Sequence, residues 1–490
     1  MRVIPLLLLI SAAAAAQTLQ NTHFATPYTN YDGNTSVAQS WSYFEEHMNP
    51  KFQQSTFEQM PGGPGGQVSC QQIWADWSAY RAGIYQRVSG CTIAQPYKLT
   101  GWCLSIYQHG VTPTPPQGNN IGQKLGIDPY GGTDPLSTNV RWCTEDWTDR
   151  TWRELQVTAT AQSTTITVFA RSNNVWAKTN CLTFYDAFGL TAVANALGIA
   201  NVQVKNVSYN RATIEWVTNA TSTSRVDYGP TTSYGQSVED SALVTNHSVT
   251  ITGLNKGATY HLKCTSTKSG YTSASSDDAT LTTMGGTLVA SVQAAKDLAD
   301  GTKVIIPDVS VTATTAQLSD KLYVCEPDRS SGIRVAKTAN TGAANVGDRV
   351  DVNGTLATTN GERYLSGATM AMLNPGQPAL VALGMVNRAV GGSAVNNGVG
   401  LYNIGLLVRI WGRATKVDTG AKCFYVDDGA GLLDGSAYKG VRVYYSHLTS
   451  FTPPVESHYA VVTAIASTTT ISAKVVPQLL LREQGDLVGF

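Results

Sequence analysis

The sequence predicts an all-β, multidomain chain. Three observations carry this. Strand-like alternation recurs from end to end, as in "LQVTATAQSTTITVFA" (155–170), "ATIEWVT" (212–218) and "DRVDVNGTLA" (348–357). These runs are rich in β-branched residues and punctuated by Gly, Asn, Asp and Pro, while helical periodicity is scarce. Charged residues are only 14% of the chain, so solubility must come from uncharged polar side chains, which suits an extracellular β-rich protein.

The 490 residues suffice for about three to five domains, and a hydrophobic content of 42% can build several cores. Lys+Arg 34 balances Asp+Glu 34. A neutral chain of this kind is not a strongly basic nucleic-acid binder or a polybasic membrane-surface protein. It also has too many apolar groups for a disordered one.

The first element, residues 1–16, reads as a secretory signal peptide. Arg2 supplies a positive start, 3–10 an apolar run, and Ala14, Ala15 and Ala16 a small-residue cleavage site, so the mature chain is expected from Gln17. No cysteine follows the cleavage site, so no lipid anchor is suggested. No later stretch reaches about 18 apolar residues, and no membrane span is expected.

Eight cysteines follow: Cys70, Cys91, Cys103, Cys143, Cys181, Cys264, Cys325 and Cys423. None forms a C-x-x-C pair, which argues against zinc ribbons and thioredoxin-like chemistry. In an oxidising compartment the first five can form two disulfides, expected as Cys103–Cys143 and Cys91–Cys181, leaving one thiol. Cys264 lies in a strand-like run and is expected as a buried thiol.

Aromatic residues divide the chain. Eight of the ten Trp precede residue 200, which marks a first domain over 17–197 with its own task. A second unit spans 200–284. The remainder repeats internally: "KLYVCEPDRSSGIRV" (321–335) is echoed by "CFYVDDGAGLLDGSAYKGVRV" (423–443), each entered and left by a further strand-like run. The offset of about a hundred residues implies duplicated domains, 286–380 and 381–490. One helix is expected near 288–298, at a domain junction.

In the second unit, Trp216 in "ATIEWVT" and Leu254 and Tyr260 in "VTITGLNKGATYHLKCTST" resemble a fibronectin type III domain. The resemblance implies a Trp filling the core between two sheets, a Tyr closing a corner on backbone, and a spacer role. The first domain carries "WSAYRAGIYQRV", "KLGIDPYGGTDP", "VRWCTEDWTDRTWRELQVTATA" and "TVFARSNNVWAKTNCLTFYDAFGLT" in that order. Together these are similar to the galactose-binding-like β-jelly rolls of secreted bacterial glycan-processing and surface proteins. That implies a sandwich with a carbohydrate-facing sheet.

Sugar rings offer an apolar C–H face and a rim of hydroxyls, which aromatic faces and polar side chains recognise. The candidate ligand-binding residues are Trp77, Tyr80, Arg81, Tyr85, Gln86, Trp142, Glu145 and Trp147. Tyr80, Gln86, Trp142 and Glu145 lead, because alternation can bring several to one sheet face. A Trp in a sandwich is more often core than platform, and Trp152 is expected as core. Jelly rolls of this kind often hold a structural calcium, and Asp186 in "FYDAF" matches the acid of the last strand. Ala25 follows Phe24 where the family carries a second acid, so one hard ligand is missing.

The two C-terminal halves resemble secreted OB-fold-like modules, through strand runs that meet Gly-Asp or Asp-Gly turns. OB barrels bind oligonucleotides or oligosaccharides. From 285 onward there are 17 Lys/Arg against 16 Asp/Glu and one Trp. The basic, aromatic footprint of a nucleic-acid binder is absent, and a packing or assembly role is expected.

The function expected is therefore a secreted, non-catalytic glycan-binding or cell-surface protein whose partner is a polysaccharide, with no catalytic residues. Two rivals come from other classes. One is a glycoside hydrolase or polysaccharide lyase using jelly-roll carboxylates or His47 and His109. The other is a structural protein that assembles with copies of itself through exposed strand edges. No H-E-x-x-H, G-x-S-x-G or Walker motif stands in a fitting context.

Overall fold

The computed structural model describes residues 18–56, 69–113, 120–339, 344–396 and 398–489. The expected signal peptide, 1–16, lies outside them. The chain is all-β. Among the described residues the only α-helices are α1 (Val292–Lys296) and α2 (Thr315–Leu318), and none is long and apolar enough to cross a membrane. The helix expected over 288–298 shrinks to α1. Leu288 is taken up by a strand, and the Ser291 hydroxyl caps the helix by accepting from the Ala294 N–H.

The first region holds twelve strands: β1 (Tyr28–Asn30), β2 (Ser36–Ala38), β3 (Ser42–His47), β4 (Lys51–Ser55), β5 (Cys70–Ala75), β6 (Tyr80–Ser89), β7 (Pro96–Ile106), β8 (Ile121–Asp128), β9 (Arg141–Trp142), β10 (Arg153–Thr160), β11 (Thr165–Asn174) and β12 (Cys181–Ala192). Ten of them form two five-stranded sheets, β10-β7-β12-β5-β4 and β3-β6-β11-β8-β9, and β1 pairs with β2 apart from these. Leu99, Phe188 and Tyr185 from the first meet Ile84, Leu125 and Val168 from the second in one core. Period-two alternation decides the faces. Along β11, Ile166, Val168 and Ala170 join that core, while Phe169 belongs to a separate cluster on the outer face of the second sheet.

All eight cysteines are free thiols, so neither expected disulfide forms. Cys91 follows the end of β6, whereas Cys181 begins β12 and is paired with Ala75, beyond the other end. Ten residues of strand place those ends roughly 30 Å apart, far past disulfide reach. Cys103 and Cys143 are neighbours but separate: the Cys143 Sγ accepts the Leu125 N–H at 3.2 Å, and burial, then Cys143, pushes the Cys103 thiol up. Seven of the thiols serve as small buried groups, and Cys143 is half-buried. Cys264 is buried as expected, its pKa pushed up to about 12.

The second region pairs β13 (Ile199–Lys205), β14 (Arg211–Gly229), β15 (Gln236–Thr252), β16 (Thr259–Ser266), β17 (Ala274–Ser275) and β18 (Ala279–Thr282). Trp216 is buried at its centre, stacked 4.7 Å from His247 and donating through Nε1 to Ser266 Oγ at 3.0 Å. The Tyr260 hydroxyl accepts the Asn255 N–H at 2.9 Å, tying the chain before β16 to that strand.

The third region builds the same topology twice. The first copy comprises β19 (Thr287–Leu288), β20 (Lys303–Ala313), β21 (Lys321–Cys325), β22 (Gly332–Ala336), β23 (Arg349–Thr359) and β24 (Glu362–Asn374). The second comprises β25 (Leu383–Gly384), β26 (Leu407–Asp418), β27 (Cys423–Asp427), β28 (Val441–Tyr444), β29 (Tyr459–Ile471), β30 (Lys474–Leu480) and β31 (Leu487–Gly489). The first sheet runs β20-β21-β22-β24-β23 and closes through β20–β23. The second runs β26-β27-β28-β30-β29 and closes through β26–β29. In each, the third and fifth strands of the barrel are parallel, and a two-residue strand leads in parallel to the first. The echoed sequence runs are the second and third strands of each barrel.

Candidate functional site

Glycines make room for a site on the outer face of the second sandwich sheet. Trp142 pairs across strands with Gly126, and its indole lies over that residue: a Cβ on Gly126 would stand 2.6 Å from the ring. Glu145 and Trp147 cover Gly122 in the same way, each 2.8 Å from a would-be Cβ. Phe44 covers Gly83. A strand glycine marks a close approach, and here three aromatic rings and the Glu145 side chain approach. The segment carrying them is pinned to β8 by reciprocal N–H···O bonds between Gln123 and Asp146, both 2.8 Å, and by the Cys143 N–H to Leu125 O.

The indole of Trp142 is half-buried, and its ring partners belong to the sheet beneath it. Phe169 is 5.8 Å away, Lys124 Nζ 4.5 Å and Arg171 Cζ 5.2 Å. Tyr85 adds a second half-exposed ring, 5.8 Å from Phe169.

Beside these rings lies a charged row. Arg171 sits between two carboxylates, with Nη1 3.4 Å from Glu46 Oε1 and Nη2 3.7 Å from Glu145 Oε1. Arg81 Nε approaches Glu46 Oε2 at 3.8 Å. Glu46 Oε2, Glu145 Oε1 and Arg171 Nε are buried without a hydrogen-bond partner. Shut off from solvent and held by these ion-pair contacts, they fix the charged row in place. The positive neighbours have an electrostatic consequence: burial, then Arg171, holds the Lys124 ammonium below its usual range.

The structure gathers Arg81, Tyr85, Trp142, Glu145 and Trp147 on this face. It puts the other candidates elsewhere. Tyr80 is only 1% exposed. It alternates inward into the core, where its hydroxyl lies 3.2 Å from Thr183 Oγ1. Gln86, also on the inner side of β6, is 5% exposed and clamps the chain before β1: the Gln20 N–H donates to its Oε1 at 2.7 Å, and its Nε2 donates back to Gln20 O at 2.9 Å. Both are structural residues. Trp77 is 67% exposed, but on the turn between β5 and β6, where its N–H bonds Lys178 O. Trp152 packs half-buried on the outer side of the first sheet.

Sequence reasoning missed Arg171 and did not single out Glu46. The signal for Arg171 was its alternation with Phe169 in β11. The signal for the site as a whole was the pair Gly122 and Gly126, two glycines of one face inside one strand.

Asp186 does not fit a calcium. The ion takes six to eight oxygens, usually including several carboxylates. Asp186 is a single buried acid. Its Oδ1 is 3.4 Å from His23 Nδ1 and accepts the Ala187 N–H at 2.6 Å. Burial raises its pKa. Among the described residues no three His, Cys, Asp or Glu converge as a metal site.

No family model and no curated protein matches the chain. Among solved structures, one similar to part of it is TmCBM61 in complex with beta-1,4-galactotriose. It is 14% identical with a TM-score of 0.24, covering 36% of this chain and 99% of that one. A second is the CBM22-1 xylan-binding domain of Paenibacillus barcinonensis Xyn10C, 14% identical with a TM-score of 0.22, covering 32% and 86%. A third is the adhesin domain of Epf from Streptococcus pyogenes, 10% identical with a TM-score of 0.21, covering 46% and 79%. At these scores the likeness carries no functional argument, and the functional reading rests on the site's geometry.

Proposed function

We propose that this chain is a secreted, multidomain, non-catalytic carbohydrate-binding protein, with its site on the outer face of the β3-β6-β11-β8-β9 sheet. The observation that carries the reading is the half-exposed Trp142 ring laid over Gly126 beside the Glu145–Arg171 ion pair. An apolar ring face stacks on the indole while the carboxylate and guanidinium bond its rim.

The other regions act as spacers and positioning modules. The buried Trp216 and the Tyr260–Asn255 bond support a fibronectin type III-like unit over 200–284. The strand order and parallel third and fifth strands of each closed barrel support OB-like modules over 286–380 and 381–490. Secretion rests on the N-terminal apolar run.

The paired carboxylates Glu46 and Glu145 raise a glycosidase reading. Such an enzyme needs two carboxyls about 5–10 Å apart with the scissile bond between them. Arg171 occupies that gap, which favours binding over cleavage.

The test is affinity electrophoresis of the full chain through gels containing galactan, xylan and other polysaccharides. Retardation by at least one, lost in W142A and weakened in E145Q, is expected. No retardation by any, or retardation unaffected by W142A, refutes the reading. Release of reducing ends by the wild type but not by E145Q would replace it with catalysis.

A further inference from the structure

A second exposed indole lies at the far end of the chain. Trp411, on β26, is 60% exposed and borders an open hollow of about 600 Å³. β26 carries it outward between Val408 and Ile410 on one side and Ala414 on the other, all of them buried. Val461 is its cross-strand partner on β29, and Val488 on β31 is the next neighbour across. Val386 and Met385 complete the apolar wall, and Gly384 leaves it open, since a Cβ there would meet nothing within 4 Å.

The only charged or hydrogen-bonding side chain lining this hollow, outside the indole, is Arg409. It stands two residues from Trp411 on the same strand face, and among the described residues no carboxylate pairs with it. A guanidinium is a donor only and matches a carboxylate in a two-pronged fashion. A neutral sugar, whose hydroxyls both donate and accept, would leave its donors unmet here. The indole, in turn, asks for a flat apolar face.

We propose that the Trp411–Arg409 hollow is a second binding site and that it takes a carboxylate-bearing sugar, a uronate residue of an acidic glycan. The pyranose C–H face lies on Trp411 between Val386 and Val488, and the carboxylate meets Arg409. The site is independent of the sandwich face. A chain with both sites is bivalent, and avidity rises where one polysaccharide spans them.

The experiment is isothermal titration of the full chain with galacturonate trimer and, separately, with galactotriose. The expected result, read in the W142A chain, is that the acidic trimer binds, that adding W411A abolishes this, and that adding R409M weakens it about tenfold while bringing it level with the neutral trimer. W142A leaves acidic-trimer binding at this site intact, so failure of the sandwich reading and failure of this one are distinguishable. Trp411 points outward, so W411A keeps the wild-type circular dichroism and urea midpoint. Equal binding of acidic and neutral trimers by W142A, or acidic binding to W142A unchanged when W411A is added, overturns the proposal. Sedimentation showing a dimer that W411A dissolves also overturns it, since a second copy then covers the hollow.

Discussion

Lys296 offers the sharpest quantitative test of the energetics. It lies on α1, almost fully buried, with Nζ donating to Ile404 O at 2.8 Å and resting 4.1 Å from the Tyr402 ring centroid. Burial pulls its pKa from the ordinary 10.5 down to about 7; Glu362, Cys325 and Asp297 oppose the shift, and Arg363 adds to it. Between those two pKa values the unfolded chain holds a proton that the folded chain lacks. Stability therefore rises with pH across that window, by about 1.4 kcal/mol per pH unit. Below it both states are charged, and the full penalty, about 5 kcal/mol, weighs on the fold.

Lys296→Met keeps the length and apolar stem but removes the titration, leaving the Ile404 carbonyl without its donor at a cost of about 1–3 kcal/mol. Buried thiols such as Cys325, pushed up to about 12, lose stability in the alkaline range. The quantity to read is therefore the difference between wild type and variant in urea unfolding at about pH 7 and about pH 9. The variant should equal or exceed the wild type at the lower pH. The wild type should gain about 2 kcal/mol on it by the higher one, because the folded group is already half titrated at the lower. A difference that does not move between the two would mean that Lys296 keeps its proton in the fold, and the burial argument would fail.

Three further outcomes are expected. Gly126→Ala places a Cβ 2.6 Å from the Trp142 ring, so it should displace the indole and weaken polysaccharide binding about tenfold with circular dichroism unchanged; unaltered binding in gel retardation would refute the stacking geometry. Tyr80→Phe should cost about 1 kcal/mol in urea unfolding and leave binding untouched, because its hydroxyl serves core partners, Ile73 O, Ser172 and Thr183; lost binding would put Tyr80 back in the site. Burial also lowers the His247 pKa to about 4, so the neutral ring is the folded form. Its contribution, up to about 3 kcal/mol, is present above the ordinary 6.5 and lost as pH falls toward 4; His247→Gln should flatten the acid limb of a melting-temperature profile in that range.

Legibility in the sequence followed the range of the interactions. The duplicated barrels were readable because each strand carries its own alternation and the echo repeats in order. Arg171 was not readable, because its partners Glu46 and Glu145 come from distant parts of the chain. Tyr80 and Gln86 were misplaced for a related reason. They lie on the core side of β6, while Arg81 and Tyr85 lie on the other side, and nothing local says which side of a strand meets the second sheet. The disulfide expectation failed because spacing along the chain says nothing of the strand length lying between Cys91 and Cys181 in space.

The sequence alone determined the all-β class, the neutral surface, the aromatic bias of the first region and the repeat at the end, since these follow from composition and short-range periodicity. Only the tertiary structure decided that Trp142 lies over Gly126, that Arg171 separates Glu46 from Glu145, and that Trp411 stays in solvent beside Arg409. Each of these depends on which strands become neighbours, and strand pairing is a long-range choice made by burying a whole sheet face at once.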